Sequence, residues 1–405
     1  MLTPLFWLIW PLLYAAGAAG FGTAVVIDEA LLGHILSATA GCILPLRGIW
    51  YIVLARRSNT PLRPSMLVQT VLESALALVI VFLPRFSYQA FLLFLLLYFS
   101  FHGVVQGINA VIYGRNQMFQ YFTPALSQAV LFLQLFLGVL LLPDDIRQSF
   151  VMSGSGFLLS MLGHAYLFDW LAMILKNKRA GDVFRKISIT MPGFGGLGIP
   201  FRLLHALCDH TSGDIPDAEI IFNYGKRGEG LAGHCELCVN GKTYTYGNYD
   251  PDSRAILKTM GNGIIFRADK QKQIDFLREQ GRTVVVYGLM FSDEQRAQFR
   301  ETIAQFDALL IPWRDEASQT APDEYIHQVL NRLDADIYRI GSGRFKTYFL
   351  PTINCVTLTG SLLRGTTAGS IVIPGVYTPG AYMDALHRLY LASGEPVVSV
   401  NVYRP

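Results

Sequence analysis

The sequence predicts two structural regimes in one chain, a polytopic α-helical membrane bundle over residues 1–175 and a water-soluble α+β domain over 176–405. Three observations carry this reading. The chain of 405 residues is 52% hydrophobic with a mean hydropathy of +0.35, more than one soluble core requires. Only 16% of residues are charged. The apolar excess is concentrated before Leu175, whereas the remainder has the mixed charge and regular turn signals of a globular domain.

The first regime divides into about six candidate spans: Leu5 to Ile27, Leu31 to Leu54, Leu67 to Leu83, Phe91 to Ile112, Phe122 to Leu142 and Phe157 to Leu175. A helix needs about 20 apolar residues to cross a hydrocarbon core, and most of these runs reach that length. Pro45 and Arg47 interrupt the second, and the third is short and carries Glu73, so five spans remain an option. Arg56, Arg57, Arg63, Arg115, Lys176, Lys178 and Arg179 mark the inner loops, with Asp28, Glu29, Asp144 and Asp145 opposite; Arg85 and Arg147 also fall outside and reduce the contrast without reversing it. Both termini, and with them the soluble domain, are then expected in the cytoplasm. The first span lacks a basic lead and a small-residue cleavage site, so it reads as a retained helix. Glu73, His102, His164 and Asp169 are the ionisable residues within spans, and they fit either interhelical hydrogen bonding or a proton or substrate path.

The second regime opens with Lys176, Lys178, Arg179, Arg185 and Lys186, a basic flank suited to anionic headgroups. A strand is predicted over Lys186 to Met191, followed by the glycine-rich segment Gly193 to Gly198 and a helix over Ile199 to Cys208. That segment matches the spacing of a dinucleotide loop, yet no acidic residue ends the next strand, Ile220 to Phe222, and no strand–helix alternation follows. A loop beside the membrane or a substrate cleft accounts for these glycines better, and no cofactor is expected.

Asn240-Gly241 predicts a tight hairpin from Gly233 to Tyr249, because a type I′ turn needs positive φ at both central residues. Counting outward pairs Val239 with Lys242, Leu237 with Tyr244, Cys235 with Tyr246 and His234 with Gly247. Cys235, Leu237, Val239, Tyr244 and Tyr246 then share the core face, and His234, Glu236, Cys238, Thr243 and Thr245 the other. Opposite a glycine, the His234 imidazole has room for something to approach it.

A further strand is expected over Arg344 to Leu350, after which Asn354 caps a helix that starts at Cys355 and runs toward Leu363. The positive end of a helix and a nearby imidazolium both favour thiolate, so the Cys355 pKa is expected below that of a free thiol. Ser292 caps a helix to about Phe306, Thr283 to Tyr287 and Val397 to Val402 read as strands, and Thr378-Pro379 opens an amphipathic helix to about Ala392. Trp313 to Pro322 reads as a surface loop. These elements add up to an antiparallel sheet with helices packed around it.

Cys208, Asp209, His210, His234, Cys235 and Cys238 also contain possible zinc ligands. A regular strand points Cys235 and Cys238 to opposite faces, so no metal site is expected. The five cysteines, with Cys42 inside a span, suit reduced thiols in the cytoplasm better than a disulfide framework.

Together, the strand histidine in Gly233-His234, the Asn-Gly hairpin continuing as Lys242-Thr243-Tyr244-Thr245-Tyr246-Gly247, and the distal Tyr348 and Asn354-Cys355 helix start resemble the circularly permuted papain-like hydrolases and acyltransferases. This group includes the PPPDE peptidases and the lecithin retinol acyltransferase-like enzymes. The resemblance covers roughly Lys186 to Pro405 and leaves out the membrane half. It implies a papain-like domain with Cys355 as nucleophile and His234 as general base. Glu236, Asn248 and Asp250 remain open as the group that orients the imidazole. The expected activity is thiol-dependent hydrolysis or acyl transfer at an amide, ester or thioester, with a peptide, protein or lipid acyl group as substrate. The expected partners are that substrate and the lipid bilayer, with no nucleic acid. The alternative is a non-enzymatic transporter-like or signalling protein whose soluble domain binds a partner.

Overall fold

The computed structural model describes residues 84–143, 215–225, 233–322, 324–370, 378–391 and 396–405, together with 71, 146 and 147. The expected spans at 5–27, 31–54 and 157–175, the strand at 186–191, the glycine-rich segment, the helix at 199–208 and residues Glu73, His164 and Asp169 lie outside them, as does nearly all of the span at 67–83.

Two long helices stand where the fourth and fifth spans were expected, α1 (Pro84–Arg115) and α2 (Phe119–Leu141). Both are long and apolar enough to cross a membrane. A turn with Gln117 at φ 57° joins them. Asn109–Thr123, at the end of α1 and start of α2, clusters with the C-terminal region in one compact unit, and the rest of the two helices forms part of another. In that second unit Leu95 and Phe99 pack against Phe132, Leu135 and Val139. His102 is fully buried there, stacked on Tyr98 with ring centroids 5.0 Å apart and edge-on to Phe132 at 4.5 Å.

The C-terminal region is built on an antiparallel sheet. Its strands are β1 (Ala218–Tyr224), β2 (His234–Val239), β3 (Lys242–Gly247), β4 (Met260–Asn262), β5 (Ile264–Asp269), β6 (Thr283–Leu289), β7 (Leu310–Pro312), β8 (Asp336–Ile340), β9 (Thr347–Phe349) and β10 (Val397–Tyr403). Eight of them form one sheet in the order β10-β6-β1-β2-β3-β5-β8-β7, with every neighbouring pair antiparallel. β4 and β9 form a separate ribbon.

Helices cover both faces. On one lie α4 (Asp293–Asp307), α7 (Cys355–Leu362) and α9 (Pro379–Leu391), whose Phe299, Leu358, Tyr382 and Leu386 join Phe222, Leu237, Tyr246 and Tyr287 in the main core. On the other lie α3 (Lys270–Glu279), α5 (Arg314–Ser318) and α6 (Tyr325–Leu333). There Phe276, Ile326 and Val329 meet Phe266 and Ile337, while Ile274 and Leu277 meet Ile221, Cys238 and Val286. The remaining short helix is α8 (Thr367–Ser370).

Three expectations need correction. The second face of the hairpin is as buried as the first, with Glu236, Cys238, Thr243 and Thr245 all enclosed, because α3 lies over it. Residues 344–350 do not form one strand: Arg344–Lys346 is a turn of 3-10 helix and only β9 pairs. The stretch after Trp313 is not a free loop, since α5 buries Trp313 and Ala317 against α6.

Candidate active site

Cys355 sits where the sequence expects it, at the first position of α7. Asn354 caps that helix, its Oδ1 accepting from the Thr357 N–H at 3.1 Å while Thr357 Oγ1 accepts from the Asn354 N–H at 2.8 Å. The helix is short, but nearly all of its residues are buried and it packs on β2 and β3, so its start is fixed from the cap and from below. The backbone N–H groups of Cys235, Val356 and Cys355 surround the Cys355 sulfur closely enough to favour its ionised form. Beyond the pair Leu237–Tyr244 the ladder between β2 and β3 opens, and the Cys235 N–H lies in the opened stretch.

His234 opens β2, one residue before that N–H, and pairs with Asn223 of β1. The expected pairings of Cys235 with Tyr246 and His234 with Gly247 do not form. The space over Gly247 is taken by Tyr249: a Cβ at Gly247 would lie 2.6 Å from that ring. The Tyr249 hydroxyl hydrogen-bonds His234 Nε2 at 3.4 Å. The group that approaches the imidazole is therefore a side chain of the same strand's extension. Sequence reading missed Tyr249, although an aromatic two residues beyond a strand glycine has an obvious place to lie.

Strand alternation directs His234 to the same side as Glu236 and Cys238, under α3, and Cys235 to the side of α7 and Cys355. The sulfur thus reaches the backbone beside His234, and the imidazole itself is bonded to Tyr249. Among the described residues no hydrogen bond joins Cys355 to His234.

The three candidates for the orienting role are engaged elsewhere. Glu236 accepts from Asn223 Nδ2 at 2.9 Å, Thr245 Oγ1 at 3.0 Å and Gln273 Nε2 at 3.2 Å, and Arg282 donates to Asn223 Oδ1 at 2.8 Å. Asn248 donates to the carbonyls of Lys258 and Met260, bracing the loop between β3 and β4. Its Oδ1 would sit 2.0 Å from a Cβ at Gly261, so that glycine is required for the close approach. Asp250 caps the short helical turn after it and accepts from Asn262 Nδ2 at 2.7 Å.

Burial dominates the electrostatics. It holds His234 down at about 3, with the charge of Arg282 acting in the same sense. It pushes the Cys355 thiol up to about 11, against the opposing pull of the three N–H groups. The expected lowering of the Cys355 pKa is therefore absent: the helix start acts in the expected direction and desolvation outweighs it. At neutral pH the pair rests as thiol and neutral imidazole. Glu236 rises to about 7, again through burial, moderated by its hydrogen-bond donors.

Cys235 and Cys238 belong to cores on opposite faces of the sheet, so one metal ion cannot take both sulfurs. Among the described residues no group of three His, Cys, Asp or Glu side chains is placed to hold a metal. No protein family, curated protein or solved structure matches the chain.

Proposed function

We propose that the C-terminal region is a papain-like thiol hydrolase or acyltransferase carried by a multi-pass membrane segment and facing the cytoplasm. The observation that carries this reading is the Cys355 sulfur at the first position of a capped, buried helix that packs on β2, the strand His234 opens, with the N–H groups of the helix start and of Cys235 favouring negative charge there. Such a cluster stabilises the negative charge that develops on a carbonyl oxygen under attack.

The chemistry is written for a neutral pair. As the sulfur attacks the carbonyl carbon of an amide, ester or thioester, its proton passes to His234 Nε2. The S–C bond forms, the oxyanion takes up the N–H groups, and on collapse the bond to the leaving group breaks while imidazolium returns the proton to it. Water then hydrolyses the acyl-enzyme, or a second nucleophile accepts the acyl group. In this scheme Tyr249 holds Nε2 in the resting state, and the imidazole must leave it and swing round the open end of β2 to the α7 side before it serves the sulfur.

A second reading, a partner-binding domain without catalysis, is favoured by the same hydrogen bond, because an imidazole retained by Tyr249 leaves Cys355 a buried, inert thiol. Labelling separates the two. An acyl electrophile added to the purified full chain should modify Cys355 in preference to Cys235 and Cys238, and His234→Ala should slow that modification. Equal, negligible labelling of all three cysteines supports the binding domain.

A further inference from the structure

A second site stands apart from Cys355. A pocket of about 320 Å³ is lined by Arg115, Arg339, Lys346, Asn262, Ile311 and Gly341. Among the described residues its lining gathers three cationic side chains and no carboxylate. None of the three makes an ion pair among the described residues, in contrast to Arg254, Arg267, Arg296 and Lys270, which are each matched to an acid. The amide of Asn262 is engaged by Asp250 Oδ2 at 2.7 Å.

Three separate elements deliver these charges, and the backbone from which each side chain leaves is fixed. Arg115 is the last residue of α1, and the next side chain, Asn116, fixes that helix end by donating to Thr347 Oγ1 at 3.2 Å and to the Gly343 carbonyl at 3.5 Å. Arg339 stands on β8 between β5 and β7, paired with Ile264 and Ile311. Lys346 ends the 3-10 turn, and its carbonyl accepts from the Gly263 N–H at 2.9 Å. Three like charges lining one pocket give it a positive potential that favours an anion.

We infer that this pocket binds a phosphate group, either that of a phospholipid headgroup or that of a small soluble phosphate ester. Two guanidinium forks and an ammonium match the several oxygens of a phosphate better than a lone carboxylate. The volume is at the low end for small-molecule sites, enough for a phosphate with a small alcohol attached. Arg115 ends the segment Leu95–Arg115, which is long and apolar enough to cross a membrane, and a basic residue at such an end lies at the depth of headgroup phosphates. Ordinary basic flanking explains Arg115 alone. It does not explain why Arg339 from the sheet and Lys346 from the 3-10 turn line the same pocket.

The test uses the full chain, delipidated in a neutral detergent, with three probes: dihexanoylphosphatidylglycerol, glycerol 3-phosphate and inorganic phosphate. Binding is read by calorimetry. At least one probe should saturate, with an affinity that falls as salt rises and at least tenfold in the double variant Arg339→Gln/Lys346→Gln. Both side chains are exposed, and an unchanged melting temperature without probe confirms that the variant folds. Arg115→Gln should weaken the same probe, and Cys355→Ser should leave it unaffected, which keeps this site separate from the proposed chemistry. Saturation by the lipid alone assigns a headgroup; equal or tighter binding of glycerol 3-phosphate or inorganic phosphate assigns a soluble ligand. Absence of saturable binding by all three probes, or affinities unchanged in the double variant and in Arg115→Gln, overturns the inference.

Discussion

At the scale of single residues, burial sets the chemistry more than local charge does. Glu236 illustrates this with a stability consequence. Its folded pKa of about 7 lies above the ordinary 4.5, so the fold holds a proton that the unfolded chain gives up. The stability linked to that proton is complete below the unfolded value and is lost as pH rises through about 7. At 1.36 kcal/mol per pKa unit the loss amounts to roughly 3 kcal/mol. Between pH 5 and pH 8 the melting temperature of the parent should therefore fall relative to that of Glu236→Gln, and a constant difference would show that Glu236 is already ionised or solvated. Tyr249 offers a sharper residue-scale test. Tyr249→Phe removes the hydroxyl from His234 Nε2, so alkylation of Cys355 at neutral pH should become several-fold faster if Tyr249 restrains the base. Unchanged alkylation kinetics would mean that the hydrogen bond has no hold on the chemistry.

At the scale of elements, the sequence was most legible where one residue dictates local geometry. Asn240-Gly241 set the hairpin register near the turn, and Ser292 and Asn354 marked the starts of α4 and α7. It was least legible where tertiary contacts decide. Alternation along β2 shows which residues share a face and not whether that face is covered, so the polar side under α3 read as open. The opening of the ladder beyond Leu237–Tyr244, which determines what His234 meets, has no signature in the hairpin pattern. Likewise, Ala317 looks like a loop residue until α6 packs on it. Ile256, Leu257 and Lys258 all have positive φ, at 48°, 55° and 64°, and Leu257 is 96% exposed. Left-handed backbone costs an L-residue about 1–2 kcal/mol, partly offset in glycine by greater freedom of the unfolded chain. Leu257→Gly should raise stability by roughly 0.5–1 kcal/mol, and a lower melting temperature would reveal an interaction of that exposed side chain. Asn354→Ala removes the cap of α7 and should cost about 1 kcal/mol while slowing any reaction at Cys355.

At the scale of the whole molecule, composition separated an apolar from a globular regime, and the described structure contains two helices fit to span a membrane and an eight-stranded antiparallel sheet. The proposed topology places the sheet in the cytoplasm. Ser318 is exposed at the end of α5, so a cysteine introduced there should resist membrane-impermeant thiol reagents in intact cells and react after permeabilisation. Ready labelling in intact cells would reverse the orientation. The central claim is the pairing of Cys355 with His234 in covalent catalysis, and the most direct measurement is the mass of the full chain after exposure to an acyl electrophile. The parent should gain one adduct, mapped to Cys355, with a rate that drops at least tenfold in His234→Ala and an adduct that vanishes in Cys355→Ser, all three proteins melting as folded. An adduct rate unaffected by His234→Ala in a folded protein, or no adduct at Cys355 at all, would contradict the pairing.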